Sequence, residues 1–269
     1  LLGDLQQLHP VVVSREARNL GYNTSMFERF VNNGVPRTLL SIQYRMHPTI
    51  ANLPSVMFYS SSLINGVNEN QRAFVFQSKF LNGWIKTPIT FINNDYLEHM
   101  SDSSRDLINQ GEVFIINKII DEMTSEEKKK TQVISSYKTQ RELITVECGH
   151  VKLATIDGFQ GNESDIVILS TVRSNRNLGI GYLEDFHRIN VAITRAKFKL
   201  IIIGNANTLR RTTPWDMIFD YISRYGSVIN TSYRYDRDTR VEVIDFNEGR
   251  LEPSVHRYTD QNYRFEYAE

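Results

Sequence analysis

The sequence has few of the residues and patterns that mark several broad classes of protein. Cys148 is the single cysteine among 269 residues, so the chain cannot form an internal disulfide framework or a zinc cluster. This usage is typical of a reducing compartment, and we expect the cytosol or the nucleus. No run approaches the roughly 20 apolar residues that cross a bilayer, and no secretory signal opens the chain, so we expect no membrane partner.

An excess of either charge is also missing. The 31 basic residues balance 31 acidic ones, which argues against a protein that coats nucleic acid but leaves room for a local basic groove. The chain contains no Gly-x-x-x-x-Gly-Lys-[Ser/Thr] loop to hold phosphates, and we expect neither a metal site nor ATP hydrolysis by this chain alone. It begins Leu1-Leu2-Gly3-Asp4 without an initiator methionine, and we interpret it as a fragment.

Short apolar runs rich in β-branched residues predict buried parallel strands. They lie at residues 165–172 and 199–204, more weakly at 132–135 and 89–92, and in a shorter run at 38–42. Apolar residues at helical spacing predict helices over 112–123 and 183–196, and a further helix opening at Pro214. Strands alternating with helices predict an α/β fold, with a mostly parallel sheet and helices on both faces.

Two regions break this alternation. Residues 60–82 are polar with few periodic signals, and we interpret them as an irregular excursion. From about residue 225 tyrosines and arginines interleave, as in Tyr233, Tyr258 and Arg264, with one alternating strand pattern at 241–246. We expect this tail to be an extension that packs on the core.

Two segments in the first 50 residues carry groups suited to binding a nucleotide, and we expect them at the carboxyl ends of strands. Gln7 follows a Gly-Asp strand exit and can orient a water or sense a terminal phosphate, although a plain turn explains it equally well. In residues 43–48, Tyr44 offers a flat ring to a nucleobase and Arg45 offers a planar cation to phosphate. A surface loop is the simpler alternative there. We expect His47, which precedes Pro48, to have a structural role and not a catalytic one.

Two later segments have the same character and the same expected location. Around Phe159 two glycines flank a short loop, after which Glu163 can accept a hydrogen bond from a ribose hydroxyl; a hydrophilic turn with Phe159 packed inward is the alternative. Further on, Arg188 and Arg195 are seven residues apart, which predicts one stripe of a helix facing a phosphoryl group. Pairing of these arginines with surface carboxylates is the simpler interpretation.

The order of the four segments is more specific than any one of them. Gly-Asp-x-x-Gln-Leu, Gln-Tyr-Arg-Met-His-Pro, Phe-Gln-Gly-x-Glu-x-Asp and Asn-Val-Ala-x-Thr-Arg-Ala follow one another along residues 1–225. This series resembles the motifs of superfamily 1 helicases, and the spelling at 43–48 resembles the up-frameshift and senataxin-like branch. The resemblance implies a RecA-like fold, with residues 1–36 ending a first RecA-like domain and its connector, 37–225 forming the second, and 226–269 an irregular extension.

The resemblance also implies roles for individual residues in ATP-dependent translocation. Catalysis would involve Arg195 as arginine finger, with Arg45 and the γ-phosphate sensor Gln7. ATP would be held by the following residues: Tyr44, Arg45, Gln160, Gly161, Glu163 and Arg195. Ser136, Tyr137 and Thr155 would contact nucleic acid, although this chain has Ser-Ser-Tyr where the family has Thr-Pro-Tyr.

The implied cofactors and partners extend beyond the chain. They are ATP with Mg²⁺ held by a first RecA-like domain, single-stranded RNA or DNA, that first domain itself, and regulatory proteins. Two alternatives stay open at this point. One is a RecA-like module that binds RNA or protein without catalysis, and the other is a helicase-nuclease whose nuclease lies outside the chain.

Overall fold

A seven-stranded sheet forms the centre of the protein. The computed structural model describes residues 1–102, 104–149, 151–176, 179–236 and 241–251. In the order of the strands across the sheet, β11-β10-β3-β9-β8-β6-β7, every neighbouring pair is parallel except β10 with β11. The mostly parallel α/β fold predicted from the sequence is therefore confirmed.

The strands and helices have the following bounds. The strands are β1 Ile42–Gln43, β2 Ile64–Asn65, β3 Ile89–Asn93, β4 His99–Met100, β5 Leu107–Ile108, β6 Thr131–Ile134, β7 Lys152–Ala154, β8 Ser164–Ser170, β9 Ala196–Gly204, β10 Ser227–Asp236 and β11 Val241–Glu248. The α-helices are α1 Arg15–Asn19, α2 Met26–Asn32, α3 Pro48–Phe58, α4 Lys79–Trp84, α5 Gln110–Asp121, α6 Ser125–Lys129, α7 Lys138–Cys148, α8 Phe186–Ile193, α9 Ala206–Leu209 and α10 Thr213–Tyr225.

Two apolar cores cover the two faces of the sheet, which is why its central strands are apolar without interruption. Alternate residues of β9 point into different cores: Leu200 and Ile202 pack with α3, α8 and α10, whereas Ile201 and Ile203 pack with α4, α5 and α7. A strand with both faces buried cannot alternate between apolar and polar residues. Within the described residues no helix is both long and apolar enough to cross a membrane.

Three expectations from the sequence need correction. The strand predicted at 38–42 is reduced to the two-residue β1, which pairs with β2 outside the main sheet. The helix predicted over 183–196 ends at Ile193, so Arg195 lies after it. The C-terminal extension, expected to be irregular, adds β10 and β11 to the edge of the central sheet. The rest of the tail, residues 252–269 with Tyr258 and Arg264, lies outside the described residues.

A buried carboxyl group ties α5 to the carboxyl end of β8. Glu112 is fully buried, and it accepts hydrogen bonds from the Ser170 hydroxyl at 2.6 Å, the Thr171 hydroxyl at 3.1 Å and the Val172 amide at 2.8 Å. Val172 has a φ of 67°, which is strained for a β-branched residue, and the Glu112 contact holds its amide in place. Burial raises the pKa of Glu112 to about 8 despite these hydrogen bonds.

Glu112→Gln tests whether this carboxyl group is neutral in the folded protein. The folded state keeps the proton up to a pKa of about 8, whereas the unfolded chain releases it near 4.5. The free energy of unfolding of the wild type should therefore fall as pH rises between these values, by as much as a few kcal/mol. Glutamine mimics the neutral acid, so the variant should lose this part of the pH dependence in urea unfolding measured from pH 5 to pH 8. Glu142→Gln, at an exposed position of α7, is the control and should follow the wild type. An equally steep profile for Glu112→Gln would contradict the assignment.

Candidate functional site

Glu163 and Arg195, two of the residues expected to bind a nucleotide, lie at the amino ends of β8 and β9, and the expected carboxyl-end location is wrong for them. Glu163 directly precedes β8, and Arg195 directly precedes β9. The loop carrying Arg45 is tied to the same edge, because the amide of His47 donates to the carbonyl of Lys197 at 2.7 Å. The third and fourth motifs come directly before β8 and β9 in the sequence, which fixes the edge at which Glu163 and Arg195 lie.

The loop between β1 and α3 holds Arg45 against this edge. The Gln43 side-chain oxygen accepts hydrogen bonds from the amides of Arg45 at 3.0 Å and Met46 at 2.8 Å, which closes the loop. His47 caps α3, with its Nδ1 accepting from the amide of Thr49 at 3.0 Å, and Pro48 occupies the first turn. His47 therefore has the structural role expected of it, and burial lowers its pKa.

Arg45 binds two groups from other motifs. Its Nε donates to Glu163 Oε2 at 2.6 Å, and its Nη1 donates to the carbonyl of Thr194 at 3.1 Å. The other Glu163 oxygen pairs with Lys197 at 2.8 Å. The hydrogen bond from Lys197, together with Arg45, lowers the pKa of Glu163. Both carboxylate oxygens therefore face cations, so Glu163 would have to give up one of them to reach a ribose.

Arg195 lies beneath the layer formed by Arg45, Glu163 and Lys197, and it is 2% exposed. Its Nε donates to the carbonyl of Val191 at 2.8 Å, its Nη1 to the carbonyl of Asn162 at 3.3 Å, and its Nη2 to the Thr194 hydroxyl at 2.7 Å. Within the described residues no carboxylate forms a salt bridge with it. Burial, and next the charge of Arg45, lower the pKa of Arg195 to about 10, so it remains a cation at neutral pH.

Arg45 and Arg195 thus converge on one residue, since both guanidinium groups contact Thr194. They are 150 positions apart in the sequence. Arg188 does not join them, because it pairs with Asp157 and Asp185 at 3.3 Å each. For Arg188 this is the pairing with surface carboxylates that the sequence offered as the alternative. The single helix stripe expected for Arg188 and Arg195 is wrong because α8 ends between them.

An open cleft of about 480 Å³ lies above this layer. Its lining residues are Gln43, Tyr44, Arg45, Met46, Arg72, Glu163 and Lys197. Three cations face one carboxylate, so the lining favours an anion. Tyr44 is 63% exposed and borders the cations, which places a flat aromatic ring beside groups suited to phosphate. Arg195 and Gln7 do not line this cleft.

Arg72 and Lys197 are the cleft residues that sequence reasoning missed. Arg72 belongs to residues 60–82, which the sequence predicts as an irregular excursion. Its Nε donates to the carbonyl of Arg45 at 2.8 Å. Lys197 directly follows the fourth motif, two residues after Arg195, and alternation at the start of β9 could have marked it as sharing a side with Arg195. No sequence signal connected Arg72 to Arg45.

The N-terminal segment covers the buried arginine. Gln7 Oε1 lies 3.5 Å from Arg195 Nη2, at the limit of a hydrogen bond, and Gln7 Nε2 donates to Asp4 at 2.7 Å. Asp4 also accepts from the Tyr59 hydroxyl at 2.7 Å, and burial raises the pKa of Tyr59. The residue expected to sense phosphate therefore contacts the residue expected to be the finger.

A second contact fixes the same segment to α8. The Nε2 atoms of His9 and His187 lie 2.8 Å apart, so one of them donates to the other. The far nitrogens of the two rings face Glu28 at 3.4 Å and Asp185 at 3.1 Å. This row of four side chains holds α2, the N-terminal segment and the start of α8 together.

Gln160 and Gly161 reach the amino-end edge only through the backbone. Both are exposed, and Gly161 has a φ of 83°, a conformation that favours glycine. The turn they form presents the Asn162 carbonyl to Arg195. Phe159, just before them, is buried in the core, in agreement with the inward packing considered from the sequence.

Ser136, Tyr137 and Thr155 lie at the opposite, carboxyl edge of the sheet. The Ser135 amide donates to the Ala154 carbonyl at 3.0 Å, so Ser136 and Thr155 leave neighbouring strands side by side. The hydroxyl oxygen of Ser136 is buried and has no hydrogen-bond partner among the described residues, whereas that of Thr155 accepts from the Gly158 amide at 2.8 Å.

The exposed aromatic residue at this edge is Tyr182, which sequence reasoning missed. Tyr137 is only 5% exposed, and its ring meets the edge of the Tyr182 ring at 6.1 Å between centroids. Tyr182 is 56% exposed, and the guanidinium of Arg188 lies over its ring at 5.4 Å. Because Arg188 is held by Asp157, two residues after Thr155, these groups form one surface.

Comparisons with known proteins identify relatives of this chain. A family described as an AAA domain matches residues 22–207. Regulator of nonsense transcripts 1 of Caenorhabditis elegans is 36% identical over 236 residues, which cover 82% of this chain and 22% of that protein. ATP-dependent helicase NAM7 of Saccharomyces cerevisiae is 37% identical over 242 residues, 85% of this chain and 25% of that protein. A solved structure of the PRRSV helicase gives a TM-score of 0.39 at 19% identity, over 78% of this chain and 30% of that one. The chain thus spans between a fifth and a quarter of these two curated relatives.

Glu163→Gln tests whether the cleft is an anion site that Glu163 partly neutralises. The substitution releases Arg45 and Lys197 from a carboxylate that competes with an added anion. An ion pair as exposed as this one is worth up to about 1 kcal/mol, so we expect pyrophosphate affinity to rise by up to about fivefold at low ionic strength, measured by isothermal titration calorimetry. Glu147→Gln, a carboxylate change on α7, is the control and should leave affinity unchanged. Weaker binding by Glu163→Gln would show instead that Glu163 orients Arg45.

Proposed function

This chain belongs to the AAA-domain family of up-frameshift-like superfamily 1 helicases, and we propose that it is the second RecA-like domain of an ATP-dependent helicase. In this proposal the chain supplies an arginine finger and half of a nucleotide site to a longer enzyme. Residues 37–225 form the second domain, and residues 1–36 end the first domain and connect the two. ATP hydrolysis and movement along a single strand belong to that longer enzyme.

The convergence of Arg45 and Arg195 on Thr194 is the observation that carries this proposal. A structural pair of arginines would each be expected to meet a carboxylate, yet Arg195 is buried among carbonyl groups and near a second cation. Two cations at one edge, beside an exposed aromatic ring, match the charge and shape of a nucleotide's phosphates and base.

Each residue then has a task, which Arg195 can take up only once the N-terminal segment has moved away from it. Tyr44 stacks on the adenine, Arg45 exchanges Glu163 for a phosphate oxygen, and Arg195 neutralises charge on the terminal phosphate. Bound ATP with Mg²⁺ supplies the reactive phosphoryl group, and the ligands for the ion belong to the first domain. Gln7, already against Arg195, joins the two domains at this point. Closure of the cleft between the domains brings these groups together and expels water.

The carboxyl edge is the proposed surface for single-stranded nucleic acid. Ser136 and Thr155 lie on neighbouring strand ends. The Thr155 hydroxyl can donate to a backbone phosphate oxygen there, and the buried Ser136 hydroxyl can do so only after turning outward. Tyr137 supports Tyr182 from below, and Tyr182 offers a ring on which a base can stack. Such contacts weaken with salt, and they tolerate any base sequence. A protein that translocates along a strand requires that tolerance.

Helix α8 links the two edges. Its first turn carries Arg188, which faces the nucleic-acid surface, and Arg195 follows its last turn at the nucleotide edge. Eight residues of α-helix span about 12 Å. A shift of α8 on nucleotide binding would therefore reach both sites through one rigid element.

One observation favours the alternative of a binding module without catalysis. Arg195 is sealed by Gln7 and by carbonyl groups, so it cannot reach a phosphate unless the N-terminal segment moves. A relic could keep such an arginine for packing alone. The cytosolic or nuclear compartment and the regulatory proteins stay predictions, and RNA and DNA both stay open as the bound strand.

Hydrolysis measurements separate the two functions. The chain alone should show no steady-state ATPase, because it has no phosphate loop. In a protein that joins it to a first RecA-like domain with such a loop, Arg195→Ala should lower turnover by about 10³–10⁵ while ATP binding is kept. Arg224→Ala, an arginine that pairs with Asp220 on α10, is the control. Near-normal turnover by Arg195→Ala would leave the binding module as the better description.

Tyr182→Ala tests the nucleic-acid surface in the chain as it stands. Loss of one stacked base costs about 1–3 kcal/mol, so affinity for a single-stranded oligonucleotide should fall by at least about fivefold. Tyr182→Phe should bind normally, as should Tyr225→Ala, which removes an exposed tyrosine at the end of α10. Fluorescence anisotropy with labelled oligo-U and oligo-dT measures the effect for RNA and DNA. Equal binding by Tyr182→Ala and the wild type would remove Tyr182 from the surface.

A further inference from the structure

A short segment of the excursion wraps around the loop that carries Tyr44 and Arg45. We name residues 64–72 the bracket. Its β2 pairs in parallel with β1, Ile64 opposite Ile42 and Asn65 opposite Gln43. The Gly66 amide continues the pairing by donating to the Gln43 carbonyl at 2.8 Å. The bracket thus runs alongside β1, the strand that leads directly into the loop lining the cleft.

Gly66 provides the space in which the Tyr44 ring lies. A Cβ at position 66 would fall 2.6 Å from Cδ1 and 2.7 Å from Cζ of Tyr44, far inside van der Waals contact. The ring therefore rests against glycine backbone on one side, while 63% of Tyr44 remains exposed. A larger residue at 66 would push the ring out of this position, although it would remove no group from the cleft.

Arg72 holds the backbone of the same loop from the other end of the bracket. Its Nε donates to the Arg45 carbonyl at 2.8 Å, and its Nη2 donates to the Tyr44 carbonyl. The guanidinium also lies over the Phe198 ring at 5.5 Å. One planar fork that holds two neighbouring carbonyls fixes the peptide groups on both sides of Arg45, which a lysine cannot do.

From these contacts we infer that the bracket is a positioning element for a purine nucleotide, in which Gly66 sets the place of the Tyr44 ring and Arg72 sets the loop. The inference rests on the proposed nucleotide site and adds residues that none of the four motifs contains. The physical gain is pre-organisation, because a ring already held in place loses less freedom when a base stacks on it.

A comparison of two ligands tests Gly66. In Gly66→Ala, ADP affinity of the chain should fall by at least about fivefold, the lower end of the effect of losing a stacked base. Pyrophosphate affinity should not change, because pyrophosphate has no base and all the cations remain. A general loss of structure would weaken both ligands. Gly83→Ala is the matched control, since a Cβ there meets nothing within 4 Å.

A double-mutant cycle tests whether Gly66 acts through Tyr44. Tyr44→Ala alone should weaken ADP binding as much as Gly66→Ala, and the double variant should be no weaker than either one. Additive losses would mean that Gly66 acts elsewhere, which would overturn its part of the inference.

Arg72→Lys tests the other end and keeps the charge of the cleft. It should weaken ADP binding severalfold, and the NMR signals of the Tyr44 ring should shift relative to the wild type. Arg211→Lys, an exposed arginine, is the control. This arm decides the inference even when Gly66→Ala does not fold, as judged by circular dichroism.

The outcomes separate the inference from the function on which it rests. No saturable ADP binding by the wild type up to millimolar concentration would overturn both. ADP binding that is lost in Tyr44→Ala but kept in Gly66→Ala and Arg72→Lys would overturn the bracket alone. Loss in all three, with the controls unaffected, would support both.

Discussion

Hydrogen bonds to Thr194 tie the site together. Thr194 follows the last residue of α8, and it gives its carbonyl to Arg45 and its hydroxyl to Arg195. Its hydroxyl also donates back to the carbonyl of Asn190 at 2.7 Å, so its position is set by the helix. The loop before α3 and the start of β9 are thereby fixed to one point. Together with the hydrogen bond from the His47 amide to the Lys197 carbonyl, this point holds the two arginines in one arrangement.

The sheet beneath makes this geometry rigid. Because α-helices cover both faces, the strands of the centre are fully buried, and their ends cannot shift without disturbing two cores. The sheet also keeps two edges apart: cations and Tyr44 at the amino ends of β8 and β9, hydroxyls and Tyr182 at the carboxyl ends of β6 and β7. The connection through α8 is the short route between them.

The sequence predicted the parts of this protein that depend on local pattern. Continuous β-branched runs marked β8 and β9 because burial on both faces leaves no room for polar residues. The ordered motifs marked Tyr44, Arg45, Glu163 and Arg195. It failed where only a tertiary contact decides. Arg72 lies in a polar excursion and acts through backbone carbonyls, which no motif records, and Gly66 matters only because Tyr44 lies beside it. Of the two C-terminal strands, β10 was not predicted because it is rich in polar residues. It forms because it pairs with β3 near the edge of the sheet.

The electrostatics of the site explain why a chain with zero net charge can still favour an anion. Arg45 has Glu163 as its partner, but Lys197 shares that carboxylate. Arg195 is left with neutral acceptors, and its lowered pKa expresses both its desolvation and the nearby charge of Arg45. A buried cation without an opposite charge is unfavourable, and carbonyl groups offset this only in part. An anion that reached this edge would relieve the repulsion between the two guanidinium groups. Binding of an anion would therefore lower an electrostatic energy that is unfavourable in the free protein. Local imbalance of this kind, and not the overall charge, is what identifies the site.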